Sequence, residues 1–60
     1  MLITLNLQSG GTIDVDTDDI IALNSTTKGS TVTIENAYGR REVDVYEVPA
    51  RILKFLGGEK

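Results

Sequence analysis

The chain has 60 residues, of which 40% are hydrophobic and 25% are charged, and its formal net charge is −3. A chain this short buries only about 60% of the surface that its unfolded form exposes, so residues 1–60 are predicted to form one small β-rich domain. Cysteine and histidine are both absent, which excludes disulfides and thiolate zinc sites and removes the commonest neutral metal ligand.

Two short runs at the start of the chain alternate between apolar and polar residues. Ile3, Leu5 and Leu7 follow a period of two, which predicts a strand with one buried face. Residues 9–11 read Ser-Gly-Gly, a turn signal, and the alternation resumes over residues 12–15. The pattern predicts an antiparallel hairpin.

An acidic segment follows the hairpin. Carboxylates at alternate positions of residues 14–19 resemble the opening of an EF-hand calcium loop, but Asp19 stands where that loop requires glycine and Ser25 where it requires glutamate. We therefore predict a turn or one short helical turn at residues 16–19 and no dedicated metal site, with weak binding of a cation at residues 14–19 as the alternative. Residues 20–25 begin with β-branched side chains and end with polar ones, which favours a third strand, with a helix as the alternative.

A second hairpin and a helix complete the predicted elements. Residues 31–35 and 41–46 alternate around a glycine-containing turn at residues 37–39, with Val32, Ile34, Val43 and Val45 expected to face inward. Pro49 suits the first turn of a helix, and Gly57 follows its expected end at Leu56.

The predicted helix has an apolar stripe formed by Val48, Ile52, Phe55 and Leu56. An isolated helix of this length is marginal in water, so the stripe is expected either to cover the sheet or to dock on a second subunit. We take these four residues and an exposed strand edge as the two candidate interaction surfaces, with a purely intramolecular role as the alternative for the four helix residues.

Together the elements predict a mainly β fold (β+α), namely a small antiparallel sheet or open barrel of four to five strands with one short C-terminal helix. A core of this size supplies roughly 3–5 kcal/mol, and natural chains in this range often gain stability from a partner. We expect a homo-oligomer that also binds another, unidentified protein.

Enzymatic activity is not predicted, and no cofactor is expected. Without histidine, a serine or threonine nucleophile has only a lysine or a carboxylate as its base, and the sequence pairs none of them. Tyr38, Arg40 and Arg41 form the single basic and aromatic grouping, which is a candidate nucleic-acid contact. The acidic net charge argues against general binding to nucleic acid, and a charged hairpin tip that discourages aggregation is the alternative interpretation.

The N-terminal residues favour a cytoplasmic location. Residues 1–7 alternate and carry no charged side chain, whereas a secretory signal needs a basic start and a longer apolar run. No segment reaches the length of a transmembrane span.

The layout of the chain resembles the small flagellar FlbD/SwrD family. The likeness rests on Ile3-Thr4-Leu5 before Gly10-Gly11, on the aspartate-isoleucine step at residues 18–23, and on residues 31–47 leading into an amphipathic helix. Pro49 and the inserted Ala37-Tyr38 depart from that family's Pro-free helix and tighter Asn-Gly turn. The resemblance implies a flagellar accessory role. Small phage-encoded proteins also share this size and composition.

Overall fold

The computed structural model describes residues 1–57, which form five strands, a single 3-10 turn and one α-helix. The elements in chain order are β1 (Leu2–Asn6), β2 (Thr12–Asp16), the 3-10 turn (Thr17–Asp19), β3 (Ile20–Ser25), β4 (Ser30–Asn36), β5 (Gly39–Val45) and α1 (Pro49–Leu56). The predicted mainly β fold with a short C-terminal helix is confirmed, and residues 20–25 form a strand rather than a helix.

Strands β1 and β2 form the predicted hairpin, with Ile3 opposite Val15 and Leu5 opposite Ile13. Gly10 and Gly11 connect them at φ angles of 112° and 78°, a region that side chains other than glycine rarely adopt. The pairing brings the inward-facing aliphatic residues of both strands to one side.

Strands β3, β4 and β5 form an antiparallel sheet with β4 in the centre. Val32 of β4 lies between Leu23 of β3 and Val43 of β5. The register of β3 shifts between Ile20 and Ala22, which is a β-bulge. A bulge bends its strand and increases the local twist.

The hairpin and the sheet are joined at one corner, which the sequence did not predict. Leu7 and Val45 form an isolated antiparallel bridge. On either side of it, the Tyr46 N–H donates to the Asn6 carbonyl (2.8 Å) and the Gln8 N–H donates to the Asp44 carbonyl (2.9 Å). Through this bridge and the two bonds beside it, the hairpin and the three-stranded sheet meet at one corner, which we call the barrel corner, and the strands follow the order β2-β1-β5-β4-β3.

The core consists of seven buried aliphatic side chains, contributed by four strands and the helix: Ile3, Leu5, Val15, Val32, Ile34, Val45 and Ile52. Helix α1 lies against β3 and the 3-10 turn. Pro49 occupies its first turn, as predicted, and the Gly57 N–H donates to the Leu53 carbonyl (2.8 Å) at its end. Within residues 1–57, no helix is long and apolar enough to cross a membrane.

Candidate interaction surfaces

Helix α1 is anchored by one side chain and leaves its other large apolar groups partly open. Ile52 is fully buried in the core, so it takes the intramolecular role that was the alternative for the predicted stripe. Four residues around it, which we call the helix rim, expose about half or somewhat less of their surface: Val48 52%, Leu53 54%, Phe55 40% and Leu56 37%. The predicted stripe omitted Leu53, which lies at its border.

The opposite side of α1 is polar. Arg51 and Lys54 are exposed, and the helix contains no carboxylate. The helix rim is therefore an apolar surface bordered by cations on a chain whose net charge is negative. Such a border allows contact with an acidic surface and keeps the apolar surface soluble.

The outer strands β2 and β3 each have an edge that no other strand covers within residues 1–57, while β1 and β5 are bridged to each other only at Leu7 and Val45. In an antiparallel pair, successive residues point their backbone groups alternately at the partner strand and away from it. For β2, the bond from the Leu7 N–H to the Gly11 carbonyl (3.0 Å) fixes this alternation. The backbone groups of Thr12, Asp14 and Asp16 therefore point to the open edge.

On β3, the alternation also determines which backbone groups point to the open edge. The Thr26 N–H donates to the Gly29 carbonyl (3.0 Å) at the end of the β3–β4 hairpin. Asn24 accordingly bonds to β4, and the backbone groups of Leu23 and Ser25 point away from the sheet. Leu23 and Ser25 are the positions at which another strand could be added.

The two open edges differ in charge. Strand β2 carries Asp14 and Asp16, whereas β3 has no charged residue along its six positions. Charged residues on an edge strand discourage pairing with another strand. The edge of β3 therefore lacks the protection that β2 has.

The tip of the β4–β5 hairpin borders an open groove of about 480 Å³. Tyr38 is 98% exposed, Arg40 pairs with Glu35 (3.6 Å), and Arg41 lines the groove beside them. The opposite wall includes Asp16. The groove is consequently of mixed charge, and the three predicted nucleic-acid contacts lie together at its rim.

The acidic segment that resembled a calcium loop bonds to neighbouring groups of the chain. The Asp14 carboxylate accepts a bond from the Thr4 hydroxyl (2.7 Å). The Asp18 N–H donates to Asp16 (3.0 Å), and the terminal ammonium of Met1 lies 3.3 Å from the same carboxylate. These contacts, the Asp18 bond first, hold the pKa of Asp16 below its ordinary value. Among the residues that the structure describes, no three metal-ligating side chains form a group.

Sequence reasoning missed Glu47, which fastens the barrel corner. Its carboxylate accepts bonds from the Asn6 N–H (3.0 and 3.2 Å to its two oxygens) and from the Asn6 side-chain amide (2.8 Å). Its carbonyl accepts a bond from the hydroxyl of the buried Ser30. No local pattern could have indicated these contacts, because Asn6 is 41 positions away in the sequence.

Comparison with protein family models, with curated proteins and with solved structures finds no match. Three surfaces are candidates for binding. The helix rim exposes apolar side chains, the edge of β3 exposes backbone groups, and the hairpin tip exposes Tyr38.

Proposed function

We propose that this chain is a non-enzymatic protein-interaction module that works as a self-associated assembly. The observation that carries the proposal is the helix rim, which leaves four large apolar side chains between 37% and 54% exposed around one buried anchor. Aromatic and aliphatic side chains of this kind are typical anchors of protein interfaces. The cytoplasmic location expected from the sequence belongs to the same proposal.

The energetics support an assembly. Full burial of a large apolar side chain is worth about 1.5–3 kcal/mol, so covering a half-exposed one gains roughly 1 kcal/mol. The four residues of the helix rim together would gain roughly 4 kcal/mol before the cost of association. This is comparable with the roughly 3–5 kcal/mol that a core of this size supplies. Because association itself costs about 4–15 kcal/mol, the helix rim offsets part of that cost and a stable assembly needs further contacts beside it.

Sedimentation velocity across the micromolar range tests the proposal. We expect the mass of the wild-type chain to rise with concentration, and its melting temperature to rise as well, because only the folded form associates. Leu53→Ser removes an exposed member of the helix rim and should shift the chain toward the monomer. Lys54→Ser, a change at the adjacent residue on the polar side, is the matched control and should not. A wild-type chain that stays monomeric, with a melting temperature independent of concentration, would contradict self-association.

A second candidate function is binding of single-stranded nucleic acid at the hairpin tip. The observation that favours it is the 98% exposure of Tyr38, since an aromatic ring on such a tip is free to stack on a base. Fluorescence anisotropy with a labelled single-stranded oligonucleotide at low and high salt tests it. We expect Arg41→Ala to weaken binding and Arg51→Ala, which removes the same charge elsewhere, to leave it unchanged. Absence of binding at low salt would exclude this function.

The FlbD/SwrD resemblance carries a further proposal, a flagellar accessory role. Swimming of a deletion strain on soft agar tests it. Normal motility together with normal filaments would contradict the role.

A further inference from the structure

We infer that the open edge of β3 is the seam between two copies of this chain, and that the two β3 strands pair antiparallel about a two-fold axis. This inference rests on the self-association proposed above and adds the surface and the register. The paired strands would join two three-stranded sheets into one of six strands.

The open edge of β3 presents backbone groups that another strand can bond. Leu23 and Ser25 direct their N–H and carbonyl groups to an edge that no strand covers within the described residues. A row of such groups is a template for another strand. Helix α1 contacts β3. A second copy at this edge would bring its own helix close to the seam.

The charge pattern of β3 favours a second copy of the chain as the partner. Residues 20–27 contain no charged residue, no glycine and no proline. A strand that pairs with its own copy places like residues near each other, which is harmless for β3. On β2, the same arrangement would set Asp14 of one copy opposite Asp16 of the other, and like charges opposite each other are destabilising.

The residues that flank this uncharged segment are complementary. Asp18 and Asp19 precede it, and Lys28 follows it. Antiparallel pairing of two copies brings the beginning of one segment to the end of the other. Each acidic end then lies beside the lysine of the second copy, and the two-fold axis repeats this contact.

The alternation of backbone groups restricts the register. Residues that point to the open edge must lie opposite each other, and the register that pairs both Leu23 and Ser25 of each copy sets Leu23 of one copy opposite Ser25 of the other. This register sets Asn24 opposite the Asn24 of the second copy. Asp19 lies in the 3-10 turn just before β3 and Lys28 in the loop after it, so this register brings the acidic turn of one copy toward the lysine-bearing loop of the other. The two Asn24 residues form a pair without backbone bonds between them, in which Cβ atoms lie about 4.5–5.5 Å apart.

Cysteine cross-linking tests the register directly, because the wild-type chain contains no cysteine. Asn24→Cys introduces one thiol, at an exposed position, that faces its own copy across the axis. Thr12→Cys introduces one at an exposed position on the edge of β2 and is the matched control. Under mild oxidation, we expect Asn24→Cys to convert most of the chain to a covalent dimer at least tenfold faster than Thr12→Cys. Equal rates for the two variants would overturn the inference.

A charge at the axis provides a second readout. Asn24→Lys places two ammonium groups opposite each other, and Asn24→Ser is the neutral control. We expect the lysine variant to sediment as a monomer at low salt and to recover association as the salt concentration rises, with the serine variant unchanged. Circular dichroism would verify that both variants fold.

The outcomes separate the two proposals. If the wild-type chain is a monomer at every concentration, both the proposed self-association and the seam are excluded. If it associates, and Asn24→Lys associates equally well, the seam is excluded and self-association through the helix rim stands.

Discussion

Among the glycines within residues 1–57, Gly29 is the one at which a change to alanine should be most damaging. Gly29 is buried in the loop between β3 and β4. A Cβ atom built there would meet the Val45 carbonyl oxygen and would lie 2.6 Å from the carbonyl carbon and oxygen of Tyr46. These atoms belong to the backbone at the corner of the barrel, where the Tyr46 N–H bonds to Asn6 (2.8 Å). The methyl group can therefore be accommodated only if the corner moves.

The expected loss follows from two opposing terms. Overpacking of this kind costs about 1–3 kcal/mol, and contact with backbone on a paired strand places Gly29→Ala near the upper end. Alanine also lowers the conformational entropy of the unfolded chain, which stabilises the folded form by about 0.4–1 kcal/mol. The net loss of about 2–2.6 kcal/mol is about half of the roughly 3–5 kcal/mol available. For a domain of this length, it lowers the melting temperature by roughly 10–20 °C.

Thermal and urea unfolding at one fixed protein concentration, followed by far-ultraviolet circular dichroism, measure this loss. Gly57→Ala is the matched control, because Gly57 has the helical φ of −77° and its added Cβ would lie 3.3 Å from the Leu53 carbonyl. The control should shift stability by no more than about 0.5 kcal/mol. A Gly29→Ala chain that unfolds at the wild-type midpoint would refute the reasoning.

Three further changes test the core, the acidic turn and the barrel corner. Ile52→Ala removes the buried anchor of α1 and should cost about 2–5 kcal/mol, seen as loss of helix signal and early urea unfolding; retention of wild-type stability would show that the anchor is dispensable. Asp16→Ala should be less stable than wild type at neutral pH. The lowered pKa of Asp16 means that its stabilisation is present above the ordinary carboxyl pKa and is lost as the pH falls through the lower folded value, so the two melting curves should converge in acid, and a gap independent of pH would contradict this. Ser30→Ala leaves the Glu47 carbonyl without its hydroxyl donor and should cost about 1–3 kcal/mol in urea unfolding; an unchanged midpoint would mean that water replaces the hydroxyl.

The strands were predictable because their signal is local. Alternation of Val32 and Ile34 with polar residues predicted β4, and both side chains are buried. The same alternation at Val43 and Val45 predicted β5, on which Val45 is buried and Val43 is half-buried. The predicted strand at residues 41–46 ends one residue earlier in the structure, since Tyr46 already turns toward Asn6 to form the barrel corner.

The candidate surfaces were predicted only in part. The sequence indicated an apolar stripe on the helix, but not that Ile52 alone would be buried while Val48, Phe55 and Leu56 remain open. That division depends on how much sheet surface lies beneath an eight-residue helix. The open edge of β3 had no sequence signal, because an edge strand and a central strand of this composition look alike.

By itself the sequence determined the elements, their order and which face of each strand is apolar, because a period of two and the conformational freedom of Gly10, Gly11 and Gly39 act between near neighbours. The tertiary structure decided which edges meet. Leu7 and Val45 close the corner of the barrel, and this contact depends on the twist accumulated through the intervening strands. Within the described residues, the tertiary structure also leaves β3 with an open edge. It buries only Ile52 among the residues of α1.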